Sequence, residues 1–395
     1  MSGPTFELRR EPRRDPDEVG EDEELVRRIR DEIVTSGPMT FARFMELALY
    51  EPGHGYYRRL DPGPGATGDF LTAPEAHPIF GETIGRLLEE TWHALDEPAP
   101  FVVTEHGAGT GALAAAILGG LRRSRSALAE AIRYRPVDIE PARIDEIGRR
   151  LGEAGLDRVL ITDAPEPGET GAIVANEVLD ALPVHRVVMR KALRELFVVV
   201  TPHGFAEEEG DPSIDRLTAH LTADGVALAA GRITEIPLEA ERWIGEAAAP
   251  LARGIVLLID YGAEPADLHG PARPEGSLRA FARHSVVRDP FTHIGRQDLT
   301  THVCLEAVRR RARQAGLDAL GETTQAEFLA AGGADDLVRQ RLAAPGATLE
   351  DALAIRSALA RLLDPRVMGD YHVLAFGRGL PDDFKPAALT RLGRR

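Results

Sequence analysis

Phe101-Val-Val-Thr-Glu-His-Gly-Ala-Gly-Thr-Gly111 decides the fold, because a β-type apolar run empties directly into three alternating glycines and then into the Ala-rich stretch after Ala112. Glycine at alternate positions lets the backbone take positive φ and lets a ligand lie against bare peptide. The helix that follows offers unpaired N–H groups at its N-terminus. Dinucleotide turns of the G-x-G-x-x-G type seat a pyrophosphate on the helix dipole and use the third glycine for close helix packing. Here the third glycine comes one residue early, at Gly111, which disfavours an NAD(P)-dependent oxidoreductase. Taken alone, the pattern also fits an ordinary Gly-rich strand-to-helix turn.

Preceded by Glu105, the turn reads E-x-G-x-G-x-G and resembles motif I of S-adenosyl-L-methionine (SAM) methyltransferases. Two further segments point the same way. Arg133-Tyr-Arg-Pro-Val-Asp-Ile139 reads as a second strand ending in Asp138, placed where doubly wound sheets keep a ribose-binding carboxylate, which accepts from both hydroxyls at once. Arg158-Val-Leu-Ile-Thr162 reads as a third strand, delivering Asp163 to the same edge for the adenine amino group. Singly, each acid also reads as a turn or helix-cap residue; together with Glu105, Gly107, Gly109 and Gly111 they form a cofactor set.

Composition is compatible with an enzyme. At 395 residues the chain can bury a sizeable core as one elaborated domain or two. Its 47 basic and 63 acidic residues leave a charge of −16, which argues against nonspecific binding to nucleic acid or to an anionic membrane and mildly favours a basic partner. Lys191 and Lys385 are the only lysines, a bias expected of a GC-rich bacterial genome. Cys304, the only cysteine, excludes an internal disulfide and any Cys-based zinc cluster, and fits a reducing cytoplasm. Because His54, His284, His293 and His302 show no metal spacing, no metal is expected. Neither a membrane span nor a targeting peptide is apparent.

Along the chain, residues 1–22 are charged and read as a mobile tail. Residues 23–98 read as an N-terminal helical cap with a Gly-rich loop; Leu25, Ile29 and Ile33 recur at helical spacing, and a second helical stretch runs from Thr40 through Leu49. Residues 99–262 form the core, with buried strands at Gly171–Val178 and Gly254–Gly262 whose continuous apolar character suits parallel strands covered on both faces. An antiparallel hairpin is inserted at about 184–205 as a substrate wall. Residues 263–395 read as a substrate lid ending in a closing strand, Tyr371–Gly377. The expected class is α/β: a Rossmann-like, seven-stranded SAM methyltransferase fold with a helical cap and inserted substrate-binding elements.

Longer blocks carry a resemblance to a family. Gly37-Pro38 with Phe44-Met45, Tyr50-Glu-Pro-Gly-His-Gly-Tyr-Tyr57, Gly68-Asp-Phe-Leu-Thr-Ala-Pro-Glu75, the glycine turn, Asn176-Glu-Val-Leu-Asp-Ala-Leu-Pro-Val-His185, Asp260-Tyr-Gly262 and Asp298-Leu-Thr-Thr-His-Val303 together resemble the MidA family, in order, from about Gly37 to Gly332. The resemblance implies a SAM-dependent methyltransferase. Eukaryotic members are mitochondrial complex I assembly methyltransferases, similar to enzymes that make symmetric dimethylarginine on a respiratory-complex subunit. The family's usual E-L-G-P-G-x-G is here Glu105-His-Gly-Ala-Gly-Thr-Gly111, and Asp138 stands where Glu is general. Both departures keep the loop geometry and the carboxylate.

Residues for the chemistry can be argued from position. Asn176, Glu177 and Asp180 follow the fourth strand at the carboxyl edge where open α/β sheets bind ligands. Methyl transfer from a sulfonium needs an oriented nucleophile and, where it is protonated, a proton acceptor. Glu177 and Asp180 are candidates to clamp a guanidinium, His185 to relay a proton, and Asn176 to face the cofactor. Each also reads as a helix cap or strand-edge residue. Gly68, Asp69 and Phe70 are candidates to take and cover the SAM ammonium. The acceptor is a protein or a small molecule such as a natural-product intermediate. A SAM-binding assembly scaffold without turnover, and a homodimer, stay open.

Overall fold

The structure, a computed structural model, describes residues 19–60, 71–283 and 285–390. The expected loop contacts Gly68, Asp69 and Phe70 lie outside the described residues, as do positions 1–18 of the expected tail. Helix α1 (Glu23–Ser36) starts where Asp22 accepts a hydrogen bond from the Leu25 amide at 3.0 Å, a cap of the kind that contributes about 1 kcal/mol. Its apolar stripe of Leu25, Ile29 and Ile33 is buried against α2 (Phe41–Tyr50), which Thr40 caps in the same way. Helix α3 (Ile79–Ala94) follows and lies along the core.

Six strands make the central sheet: β1 (Phe101–His106), β2 (Ile132–Val137), β3 (Glu169–Asn176), β4 (Leu251–Asp260), β5 (Asp318–Thr324) and β6 (His372–Arg378). Their spatial order is β5-β6-β4-β3-β1-β2, with β2, β1, β3 and β4 parallel and β6 antiparallel to both of its neighbours. Alternation along the inner strands explains their unbroken apolar runs. Ile255, Leu257 and Ile259 of β4 join the core with α3 and α4 (Ala112–Ser124), while Val256 and Leu258 face the second core with α7 (Leu238–Ala248) and α8 (Leu305–Gln314). Each such side chain contributes roughly 1.5–3 kcal/mol on burial. The third expected strand, around Arg158–Thr162, is reduced to one parallel bridge between Leu160 and Tyr134 beside β2, because a 3₁₀ turn at Asp157–Val159 uses up its start. That bridge holds the seventh position of the sheet.

The segment read as a hairpin at 184–205 lies in a larger antiparallel sheet. His185–Met189 pairs with Leu193–Thr201 on one side and Ile233–Ile236 on the other; Leu193–Thr201 pairs in turn with Gly204–Gly210 and with Met39–Thr40 from the cap. Helix α6 (Arg216–Ala223) packs on this insertion. Cap and insertion therefore share one core, in which Phe41 and Phe44 stand beside Phe291. Helix α5 (Pro141–Glu153) follows β2.

Candidate active site

Chain order reverses between β1 and β3, and the crevice at their carboxyl ends is where open α/β sheets take ligands. A cavity of about 760 Å³ opens there. Gly107, Gly109 and Gly111 all have positive φ, at 68°, 53° and 73°. A side chain on Gly107 would strike Val178 at 2.8 Å and one on Gly111 would strike Ile147 at 2.9 Å, whereas one on Gly109 would meet nothing nearer than the Gly107 carbonyl oxygen at 3.8 Å. The bare face of Gly109 opens on the cavity, which is the arrangement a ligand lying against peptide requires. Asp138 fixes this turn: one oxygen accepts from the Gly109 amide at 3.0 Å, the other from Glu140 at 3.0 Å. Burial pushes the Asp138 carboxyl above its ordinary range, against the pull of those amides and of Arg143. Glu105, at the end of β1, is buried and accepts the Tyr134 hydroxyl at 2.7 Å; burial pushes it up to about 8.

Across the cavity, Glu177 sits at φ 54°, a left-handed conformation uncommon for a residue with a side chain. Its carboxylate accepts from Asn176 Nδ2 at 2.9 Å and from the Ala73 amide at 3.4 Å, so the cap reaches into the site. Burial, with Asp180 nearby, pushes Glu177 up to about 7. Asp180 is buried, accepts the Tyr261 hydroxyl, and is pushed up to about 6 by burial. Beneath it Asp260, raised by burial, takes the Leu179 and Asp180 amides at 2.9 and 3.2 Å and thereby shapes the turn after β3. Four buried polar atoms of the lining have no hydrogen-bond partner in the protein: Arg143 Nε, Asn176 Oδ1, Asp180 Oδ1 and His302 Nδ1. Buried polar atoms left in this way are expected to be met by ligand or water.

Of the residues singled out from sequence, Glu105, Gly107, Gly109, Asp138, Asn176, Glu177 and Asp180 line one cavity, and Gly111 begins the helix behind it. Two do not line it. The Asp163 side chain is mostly exposed, its backbone carbonyl and carboxylate both held by buried Arg135, at 2.8 and 3.5 Å. His185 belongs to the inserted sheet, where Nδ1 lies 2.7 Å from the fully buried Glu195 carboxylate. Sequence reasoning gave no site role to the wall residues Glu75, His106, Trp243, Asp298, His302 and Tyr371. Glu75 accepts the Thr110 hydroxyl at 3.0 Å, Asp298 accepts the Tyr57 hydroxyl at 2.8 Å, and His106 stands edge-on to Trp243 at 5.1 Å. Tyr261 stands between His302 and Tyr371. Asp298 and His302 had a signal, since they open and close the block Asp298-Leu-Thr-Thr-His302; Trp243 and Tyr371 had none beyond their type.

Comparison with known proteins agrees with this geometry. Residues 83–323 match the family described as "Putative S-adenosyl-L-methionine-dependent methyltransferase". The chain is 30% identical over 373 residues to the protein arginine methyltransferase NDUFAF7 homolog, mitochondrial, of Drosophila melanogaster, covering 87% of this chain and 82% of that one. It is 27% identical to the Rattus norvegicus protein arginine methyltransferase NDUFAF7, mitochondrial, covering 89% and 84%. A crystal structure from Burkholderia thailandensis, titled a "likely methyl transferase" and bound to S-adenosyl-homocysteine, superposes with a TM-score of 0.82 at 31% identity, covering 96% of this chain and 98% of that one. With the glycine turn, Asp138 and the carboxylates after β3 in one crevice, and with these matches, the chain belongs to the MidA family of SAM-dependent methyltransferases.

Proposed function

We propose that the chain methylates the guanidinium of an arginine presented by a protein partner. The observation that carries this reading is the convergence of Glu177, Asp180 and Asp298 in a cavity also walled by Tyr50, Tyr57, Tyr261 and Tyr371. A guanidinium is planar, cationic and rich in donors; carboxylates and aromatic faces are the groups that bind it. Asp180 Oδ1 offers an acceptor with no protein partner.

SAM, when bound, supplies a methyl group on a sulfonium, and the Gly107–Gly109 turn with Asp138 are the residues that would hold it. The chain's remaining task is to orient one guanidinium nitrogen and accept its proton. Glu177, with its proton affinity raised to about 7, is better matched to that transfer near neutral pH than His302, which burial holds down at about 4. Asp180, locked by Tyr261, is the clamp. NDUFAF7 proteins, named as protein arginine methyltransferases, support the same acceptor.

Label transfer from methyl-tritiated SAM, followed by mass spectrometry of the labelled species, tests the reading. Methyl groups on arginine side chains of protein, absent with Glu177→Gln, are the expected result. Label confined to small molecules would replace the acceptor class, and binding of S-adenosyl-homocysteine with no label anywhere would favour a scaffold.

A further inference from the structure

The inserted segment and the lid meet at a second cluster, none of whose members lines the methyl-transfer cavity. Asp224 terminates α6, His269 ends the short helix Pro265–Leu268, and Cys304 caps α8. Ligand atoms of all three lie within 4.8 Å of one another, close to the spacing of donors around one small cation. Cys304 Sγ is 3.4 Å from Asp224 Oδ2. His269 is buried; its Nδ1 is 2.6 Å from the Thr234 hydroxyl, and its Nε2 is buried with no protein partner. A histidine held at one ring nitrogen by a neighbouring group, with the other nitrogen turned into a cluster of sulfur and carboxylate, is the usual posture of a metal ligand.

We propose that Asp224, His269 and Cys304 form a binding site for one Zn²⁺-class divalent ion, which fastens the inserted segment to the lid and to the start of α8. Sulfur, imidazole and carboxylate together suit zinc and its first-row neighbours rather than calcium or magnesium. Asp224 is prepared for the role: its Oδ1 is engaged by Arg310, which also pairs with Glu241, leaving Oδ2 toward the cluster. His220 lies alongside, with Nδ1 3.1 Å from Glu241 and Nε2 3.1 Å from Oδ2, where Nε2 makes no hydrogen bond to the protein. The charges balance. Asp224, Glu241 and a Cys304 thiolate carry three negative charges; Arg310 and a divalent ion carry three positive ones. In the metal-free chain the Cys304 thiol donates to Asp224 Oδ2. Metal capture releases the thiol proton to solvent and leaves a metal–thiolate bond. The sequence expectation of no metal followed from the lone cysteine, which excludes a cluster built on several cysteines, and from local His spacing; the ligands of this mixed site are separated by 45 and 35 positions, so no local pattern shows them.

Tag-free full-length protein, dialysed against a weak chelator, is titrated with Co²⁺ and then Zn²⁺, with metal content measured by mass spectrometry. One Co²⁺ per chain is expected, with a near-ultraviolet thiolate-to-cobalt band that Zn²⁺ bleaches. His269→Ala should weaken Zn²⁺ binding by about tenfold or more, and Cys304→Ser should abolish the band, both with S-adenosyl-homocysteine binding retained. A wild-type chain that takes up no Co²⁺ at micromolar concentration, or that takes it up without the thiolate band, overturns the proposal. Should the serine variant fail to fold, the wild-type spectrum decides alone: with a single cysteine in the chain, the band either reports Cys304 or is absent.

Discussion

Tyr261 donates its phenolic proton to Asp180 Oδ2, while Oδ1 of the same carboxylate is buried without a protein partner. One oxygen is thus fixed by the protein and the other is held toward the cavity, a rigid acceptor on a turn that Asp260 ties down from below. Preorganisation of this kind acts on the reacting complex, because the carboxylate does not have to find its orientation when the acceptor arrives.

Asp180→Asn and Glu177→Gln are therefore expected to lower kcat by about 10²-fold or more, the scale on which a positioned acid–base group acts, while S-adenosyl-homocysteine affinity stays within a few-fold. His185→Ala should leave kcat largely intact and lower Tm instead, since it removes one of the partners of the buried Glu195 carboxylate and leaves it only Ser213. Single-turnover label transfer and isothermal titration on the same preparations separate these effects. A dead His185 variant of normal Tm would contradict its placement.

The three glycines should fail differently. Gly109→Ala meets open cavity, so it should weaken S-adenosyl-homocysteine binding tenfold or more, on top of about 1–2 kcal/mol of backbone strain. Gly107→Ala and Gly111→Ala carry the same strain and also collide with Val178 and Ile147, and should cost more stability. Thermal melts with and without ligand measure both quantities; equal ligand-induced shifts in wild type and Gly109→Ala would refute the assignment.

Asp138 and Asp163 offer a paired comparison. Asp138→Ala releases the Gly109 and Glu140 amides and is expected to reduce cofactor affinity by about 10–100-fold, the range seen when a residue that orients a binding group is lost. Asp163→Ala, outside the cavity, should change it less than twofold. Calorimetry with S-adenosyl-homocysteine distinguishes the two.

Stability should depend on pH through Glu105. Burial raises it from the usual 4.5 to about 8, so between these values the folded chain holds a proton that the unfolded chain has released. Stability accordingly falls as pH rises through that window, by about 1.4 kcal/mol per unit of displacement at most. Glu105→Gln keeps an acceptor for Tyr134 and should flatten the curve of Tm between pH 5 and 8. A wild-type curve already flat across that range would show that the group titrates normally. Methyl transfer should move the opposite way, rising with pH through about 7 as Glu177 ionises.

Much of the cofactor half was legible in sequence because one short stretch supplies it: the strand, the glycines of positive φ and the acid after the next strand are local features. Glu177 and Asp180 were legible for the same reason, following an apolar strand by one and four residues. Asp163 was misplaced because a buried arginine, Arg135, claims it, and no periodicity reveals a partner 28 positions away. His185 was misplaced because strand alternation does not tell which side of an inserted sheet meets the cavity. Asp298 and Tyr57 stand together across 241 positions, a contact written only in the tertiary fold.

Among the hydrogen bonds the cap makes across the molecule, three reach the acceptor side of the site: Ala73 to Glu177, Tyr50 to the Ala181 carbonyl at 2.8 Å, and Tyr57 to Asp298. The family match begins at position 83, downstream of all these cap residues. The acceptor wall is thereby assembled from both sides of that boundary, with Tyr50 and Tyr57 before it and Glu177, Asp180 and Asp298 after it. Parting the polypeptide between Ala76 and Ile79 would split that wall, leaving Tyr50 and Tyr57 on one piece and the three carboxylates on the other.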